Sequence, residues 1–273
     1  MSTPQGAARG GLAHRLDGEG EPLVMLNGGL MTISSWEPFA AALARHYRVI
    51  RCDFRGQLLS PGVPPPHLEA HVEDVVQLLD ALGVGAAHLV GTSFGGEVGL
   101  LLAALHPERA RSLVAATVVD YPPPAMRAAD AALAAAAAEG AASGDGTGMF
   151  ATMLPIVYSP QFLAAHGDEL AARQESFSRL PREFFAGGRA ILEAIDTMDL
   201  RPLLGAIRCP TLVVAAEHDA LMPEERTRAV AAAIPGARFQ LVAGSGHALV
   251  VEKQQEFLDL VRAFLAHVRG EPC

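Results

Sequence analysis

The chain has 273 residues, half of them hydrophobic and 19% charged, which predicts a sizeable buried core and excludes a disordered protein. Its net charge of -9 excludes a nucleic-acid binder, because phosphate neutralisation needs clustered Lys and Arg. Cys52, Cys209 and Cys273 are widely scattered with no C-x-x-C spacing, so neither a disulfide frame nor a zinc knuckle is expected, and no metal site or cofactor is predicted.

In chain order, residues 1–11 carry neither a basic leader nor an apolar core. No apolar run approaches the length that crosses a bilayer, so a cytoplasmic protein without a membrane span is expected. Runs rich in Val, Leu and Ile follow at 23–26, 47–52, 87–90, 113–119, 211–215 and 239–242. Helix-like segments alternate with them at 35–45, 68–82, 94–105, 224–234 and 250–268. Within 68–82 the apolar positions Val72, Val75, Val76, Leu79 and Leu82 keep helical spacing. Strands without a polar alternate face, separated by helices, imply a parallel sheet covered on both sides. The fold class is therefore a doubly wound α/β fold with a mostly parallel sheet. The alternation stops at Pro122-Pro123-Pro124, after which 125–139, 162–180 and 182–200 read as helices, with a Gly-rich break at 140–148. This divides the chain into a core of residues 1–121 and 206–273 and a helical cap, or lid, of 122–205. The lid is expected over the carboxyl ends of the strands, where ligands bind in open α/β sheets.

Gly91-Thr92-Ser93-Phe94-Gly95 fits G-x-S-x-G between a strand run and a helix run. The chemistry needs that setting: the serine must project from a tight turn, and flanking glycines leave room that a Cβ would block. A serine hydroxyl is a weak nucleophile and needs a positioned base, which needs an orienting acid. Of ten histidines, His247 follows the last strand run and precedes the last helix, which places it on the same sheet edge as Ser93. His218 is its rival, whereas His88 lies in a strand run and His106 near a helix end. For the acid, Asp219 follows the strand run 211–215, with Glu217 and Asp120 as competitors. The order Ser93, Asp219, His247 agrees with nucleophile, acid, base. An oxyanion hole requires backbone N–H donors, expected from Phe94 and from Gly29 in Asn27-Gly28-Gly29-Leu30.

On these residues, with Asp53-Phe54-Arg55-Gly56 running to Ser60, the chain resembles the α/β-hydrolase fold superfamily over essentially its whole length outside the helical insertion. The resemblance implies a lid-bearing core, a Ser-Asp-His triad and a two-donor oxyanion hole. Two departures stand out: Asn27-Gly28 replaces the usual His-Gly, and Leu58 occupies the second glycine of Asp-x-Arg-Gly-x-Gly-x-Ser. Ser93 also separates this chain from superfamily members that use an Asp nucleophile. The expected activity is cleavage of an ester, thioester or lactone through an acyl-enzyme. The expected substrate is a small molecule with an apolar acyl group, in a pocket lined by Met31, Met149, Met153, Tyr158, Leu221 and Met222. Asn27-Gly28 with Met31-Thr32 is also similar to the synthase branch that esterifies hydroxyacyl chains for rhamnolipids, which implies acyl transfer as an alternative. Carbon–carbon bond hydrolysis suits the same triad, and a ligand-binding protein with little turnover is the reading outside enzymology. No pattern in the sequence speaks to oligomeric state.

Overall fold

The strand-forming runs pair into one seven-stranded sheet in a computed structural model that describes residues 11–60 and 62–270. Of the leader reading for 1–11 only Gly11 falls within those residues, and Cys273 lies outside them. The strands are β1 (His14–Asp17), β2 (Glu21–Leu26), β3 (Tyr47–Cys52), β4 (Ala87–Thr92), β5 (Ala110–Ala116), β6 (Thr211–Ala216) and β7 (Arg238–Val242). The helices are α1 (Glu37–Leu43), α2 (Leu68–Ala81), α3 (Phe94–Leu105), α4 (Pro124–Ser143), α5 (Thr147–Val157), α6 (Pro160–Ala165), α7 (Gly167–Ser178), α8 (Arg182–Ile195), α9 (Glu224–Ala233), α10 (Leu249–Glu252) and α11 (Gln254–Val268).

The sheet order is β1-β3-β2-β4-β5-β6-β7, with β1 antiparallel to β3 and every other neighbouring pair parallel. β1 has no strand run in the sequence reading, since Leu16 is its one apolar residue. It is an edge strand, and the ion pair of Arg51 with Asp17 at 2.8 Å helps hold it. Successive residues of the buried strands point to opposite faces. Val24, Leu26, Ile50, Leu89 and Leu113 pack with Val72, Val75, Leu79, Val98 and Val230 of α2, α3 and α9. Leu23, Met25, Val49, Val90 and Val114 face the other way, onto Phe39 and Leu43 of α1 and Phe257, Val261 and Phe264 of α11. Both faces are thus covered, which is why these strands carry no polar alternate.

The topology locates the site before any side chain is considered. After β2 the chain adds β3 on one side, then returns to place β4 on the other side of β2. The loops leaving the carboxyl ends of β2 and β4 therefore diverge and leave a crevice between them.

α4 to α8 all fall between β5 and β6, and no strand interrupts them among the described residues. Their boundaries differ from the sequence expectation. α4 continues through Gly140 to Ser143 and ends on Gly144 at φ 80°. The Phe185 ring packs against Gly140, so a Cβ there would lie 3.1 Å from it. α5 begins within the Gly-rich break, at Thr147, and 162–180 is two helices parted at His166. α8 comes so close to the loop after β3 that a Cβ on Gly187 would overlap the Gly56 carbonyl. Gly187→Ala should therefore destabilise the protein by about 1–3 kcal/mol through overpacking, read as a lowered denaturant midpoint at constant slope.

Candidate active site

Ser93 sits between β4 and α3 at φ 52°, ψ -131°, a conformation that L-residues rarely adopt. The turn is possible because its neighbours lack side chains: a Cβ on Gly91 would strike the Gly95 carbonyl, and one on Gly95 would lie 2.5 Å from the Asn27 carbonyl oxygen. Ser93 N–H donates to the Ala116 carbonyl at 2.9 Å, which ties the turn to the end of β5. Its half-buried hydroxyl has no hydrogen-bond partner among the described residues.

His247 and Asp219 meet. His247 Nδ1 donates to Asp219 Oδ2 at 2.9 Å, with side-chain exposures of 10% and 0%. Asp219 is itself held: its Oδ1 accepts from Leu221 N–H at 2.9 Å and Met222 N–H at 2.7 Å. The imidazolium pKa is raised above its ordinary 6.5. Burial pushes it down, but the charge and hydrogen bond of Asp219, with the charge of Asp130, outweigh that. The rival groups are engaged elsewhere. Asp120 is paired with Arg226, Glu217 accepts from Gly244 N–H at 2.8 Å, and His218 is more than a third exposed beside Glu217. His88 bonds Ser112 at 2.8 Å and His106 bonds Glu73 at 3.0 Å. His247 Nε2 has no partner among the described residues and is not bonded to Ser93 Oγ. Such bonds are commonly long before substrate arrives and tighten around it.

The glycine loop after β2 faces the elbow. A Cβ on Gly29 would lie 4.0 Å from Phe94 Cβ and 3.2 Å from Ile191 Cγ2 of α8, so Gly29 is a close neighbour of both Phe94 and α8. Neither Gly29 N–H nor Phe94 N–H donates to a protein acceptor among the described residues. The Phe94 N–H belongs to the free first turn of α3, where the helix presents a positive end. Gln57 Nε2 donates to the Gly28 carbonyl at 2.8 Å and the Gly29 carbonyl at 3.2 Å, and Asn27 Nδ2 donates to Gln57 and Asp53 at 2.9 Å each. Buried Asp53 also accepts from Ile33 N–H at 2.7 Å and Leu59 N–H at 2.8 Å. Its pKa is raised by burial, against which those three donors pull. This network holds the glycine loop in the place of the usual His-Gly pair. Leu58 causes no strain: it is not among the positive-φ residues, and its side chain packs toward Phe184, Phe185 and Met149 of the inserted helices.

The expected pocket residues separate. Leu221 and Met222 belong to the large core cluster, which also takes in Phe94 and, from α4 and α8, Met126, Ile191 and Ile195. Met31 stays at the glycine loop, its sulfur 3.3 Å from Gly28 N. Met153 packs on Leu133, Phe150 and Leu192, whereas Met149 sits with Ala137, Phe184 and Phe185 inside the helical insertion. Tyr158 stacks on Phe162 at 5.2 Å and borders Ala248 and Val251 beyond the histidine. The sequence reading missed Met126, Ile191 and Asp130, although the 4-residue step from Met126 to Asp130 keeps helical spacing within an alanine-rich run. It also missed Glu252, which accepts from Ser159 N–H at 2.9 Å, Ser159 Oγ–H at 2.6 Å and Gly246 N–H at 3.1 Å. That carboxylate fastens the α5–α6 junction to the histidine loop, and nothing in the linear pattern points to it. Among the described residues no group of three or more His, Cys, Asp or Glu could hold a metal ion, and no helix is long and apolar enough to cross a membrane.

A family model described as "Alpha/beta hydrolase family" matches residues 23–260. A protein of Caulobacter sp. (strain K31) called "Putative carbamate hydrolase RutD" is 31% identical over 265 residues, covering 94% of this chain and 96% of its own. Among solved structures, the enol-lactonase from Burkholderia xenovorans LB400 is 29% identical with a TM-score of 0.82, covering 93% of this chain and 96% of that one. A hydrolase from Pseudomonas aeruginosa PA01 is 33% identical with a TM-score of 0.80, covering 96% and 97%.

Because Asp219 raises the His247 pKa against burial, Asp219→Asn should lower it, whereas Asp120→Asn and Glu217→Gln should not. An NMR titration of the imidazole protons reads this directly, and an unchanged His247 in Asp219→Asn would remove the electrostatic role given to that pair. The linked stability has a definite sign. A histidine with a raised folded pKa contributes fully below its unfolded value, near 6.5, and loses that contribution as pH rises through the folded value.

Proposed function

The chain belongs to the alpha/beta hydrolase family and is a hydrolase, and from that premise we propose that it cleaves carboxylic esters, thioesters or lactones through an acyl-enzyme on Ser93. The observation that carries this reading is the His247–Asp219 hydrogen bond, on the sheet edge that also bears the strained serine. With Nδ1–H donated to Asp219, the neutral imidazole leaves Nε2 as the proton acceptor.

Ser93 Oγ attacks the carbonyl carbon as His247 Nε2 takes its proton. The electron pair moves onto the carbonyl oxygen, where Gly29 N–H and Phe94 N–H receive it; such donors are each worth about 3 kcal/mol in comparable sites. The imidazolium then protonates the departing alkoxide or thiolate as the bond breaks. Water, deprotonated by the same imidazole, releases the acid from Ser93 in the second half. A lactone follows the same steps, its leaving oxygen staying tethered to the acyl chain.

In this reading residues 122–205 form the lid. Ile191 against Gly29, with Phe94, Leu221, Met222 and Met126 in the same apolar core cluster, would give the acyl group apolar walls. The names of the relatives point to carbonyl substrates of this kind, a carbamate for one and an enol-lactone for another, and the same attack on carbon suits both.

A p-nitrophenyl ester series of increasing acyl length tests the proposal. Ser93→Ala should lose roughly 10⁴-fold or more in kcat, since removing the nucleophile alone disables the triad. Equal hydrolysis by wild type and Ser93→Ala at every chain length would refute it. In the wild type kcat/KM should rise with pH through the His247 pKa, which lies above 6.5, because only the neutral imidazole acts as base.

A further inference from the structure

The buried face of α4 is a row of Met126, Leu133, Ala137 and Gly140 at helical spacing, and Asp130 stands within it. Met126, one turn before, belongs to the large core cluster that also holds Phe94, Leu221 and Met222. Leu133, one turn after, packs with Phe150, Met153 and Leu192 of the inserted helices. Asp130 thus lies at the seam between the wall near Ser93 and the interior of the lid. It is 2% exposed, and neither carboxylate oxygen has a hydrogen-bond partner among the described residues. A polar group in that condition is destabilising, and a leucine there would continue the row without the penalty. Where a sequence breaks its own apolar pattern without local return, a functional site is the expected reason.

Two charges act on Asp130: Asp196, which follows α8, raises its pKa, and His247 supplies the opposing positive charge. Asp130 in turn acts on Glu97 of α3, which is fully buried; among the described residues Glu97 and Asp196 each have one unpartnered oxygen. Burial, then Asp196, push Asp130 up to about 7, while His247 pulls the other way. Burial chiefly, with Asp130 adding to it, pushes Glu97 to about 8 against the Val119 N–H. The region therefore holds buried carboxyl oxygens without partners among the described residues, lies within electrostatic reach of His247 and is unfavourable to an anion.

Resting on the Ser93 reading, we propose that Asp130 is a specificity-determining residue whose carboxylate accepts a hydrogen bond from an N–H in the substrate's acyl portion. The preferred substrates are then esters whose acyl group carries an amide, carbamoyl or amine N–H near the reacting carbonyl. Plain hydrocarbon chains leave the acceptor unmatched, and acyl groups bearing a carboxylate meet like charge. A binding site that must pair a buried polar group discriminates strongly against an analogue lacking the partner.

The test uses two p-nitrophenyl esters that differ by one group, N-acetylglycinate with an N–H and levulinate with a CH₂ in its place. Wild type should favour the N-acetylglycinate by roughly tenfold or more in kcat/KM, largely through KM. In Asp130→Leu that ratio should fall toward one, and Asp130→Asn should give an intermediate value. A structural role for Asp130 would lower both esters alike and leave the ratio standing. Thermal melting identifies a misfolded variant, and if Asp130→Leu does not fold, Asp130→Asn carries the comparison. No preference in wild type, or a ratio unchanged in the folded variants, would overturn the assignment of Asp130. Those outcomes leave the nucleophile untouched, whereas wild-type rates on both esters in Ser93→Ala would refute the Ser93 reading itself.

Discussion

The backbone of Ser93 is forced into a conformation of high energy, and much of the surrounding structure exists to hold it there. A residue at φ 52° between a strand and a helix cannot persist unless its neighbours over-determine it. Three features do so. Gly91 and Gly95 remove the side chains that would collide, the Ser93 N–H is bound by the end of β5, and α3 is packed through Val98 and Leu101 into the larger core. The same closeness of Gly95 to the Leu26 and Asn27 carbonyls brings the end of β2 against the elbow. The strained turn and the glycine loop that faces it are therefore one construction.

Buried carboxylates in this protein fall into two kinds, and the difference is informative. Asp53 and Asp219 are surrounded by donors, so their burial fixes geometry: one holds the glycine loop and the other holds the imidazole. Asp130 and Glu97 have orphan oxygens, so the fold gains little from them in return for their desolvation. Satisfied carboxylates act as struts, whereas Asp130 and Glu97 keep oxygens open among the described residues.

The inserted helices are fastened to the core at the points where the site is assembled. Gly187 lies against Gly56, Leu58 reaches into the cluster of Phe184 and Phe185, and Ile191 stands over Gly29. On the opposite side Glu252 gathers Ser159 and Gly246 while Ala248 N–H donates to the Val157 carbonyl at 2.7 Å. The histidine loop and the glycine loop each take part of their position from α5 to α8. A change deep in the insertion can thus move the site without touching it.

Much of this was legible in the sequence because it is written in local patterns. Strands buried on both faces must be continuously apolar, so the runs around β2 to β6 declared a covered parallel sheet. The glycines flanking Ser93 are required by sterics within a few residues, so the elbow was readable too. Edge strand β1 was not, since pairing with β3 rather than its own apolar content makes it a strand. Nor was the continuation of α4 through Gly140, against which a ring 45 residues away packs. A place after a strand run favoured Asp219 but left Asp120 and Glu217 open. Which carboxylate bonds His247 is seen only in three dimensions, where the loop after β6 turns Asp219 toward His247 while Arg226 and Gly244 engage the others. Sequence by itself determined the elements that short-range sterics and periodicity dictate. Tertiary structure alone decided which polar groups were satisfied and which were left open, because hydrogen bonds and charges act between residues that only folding brings together.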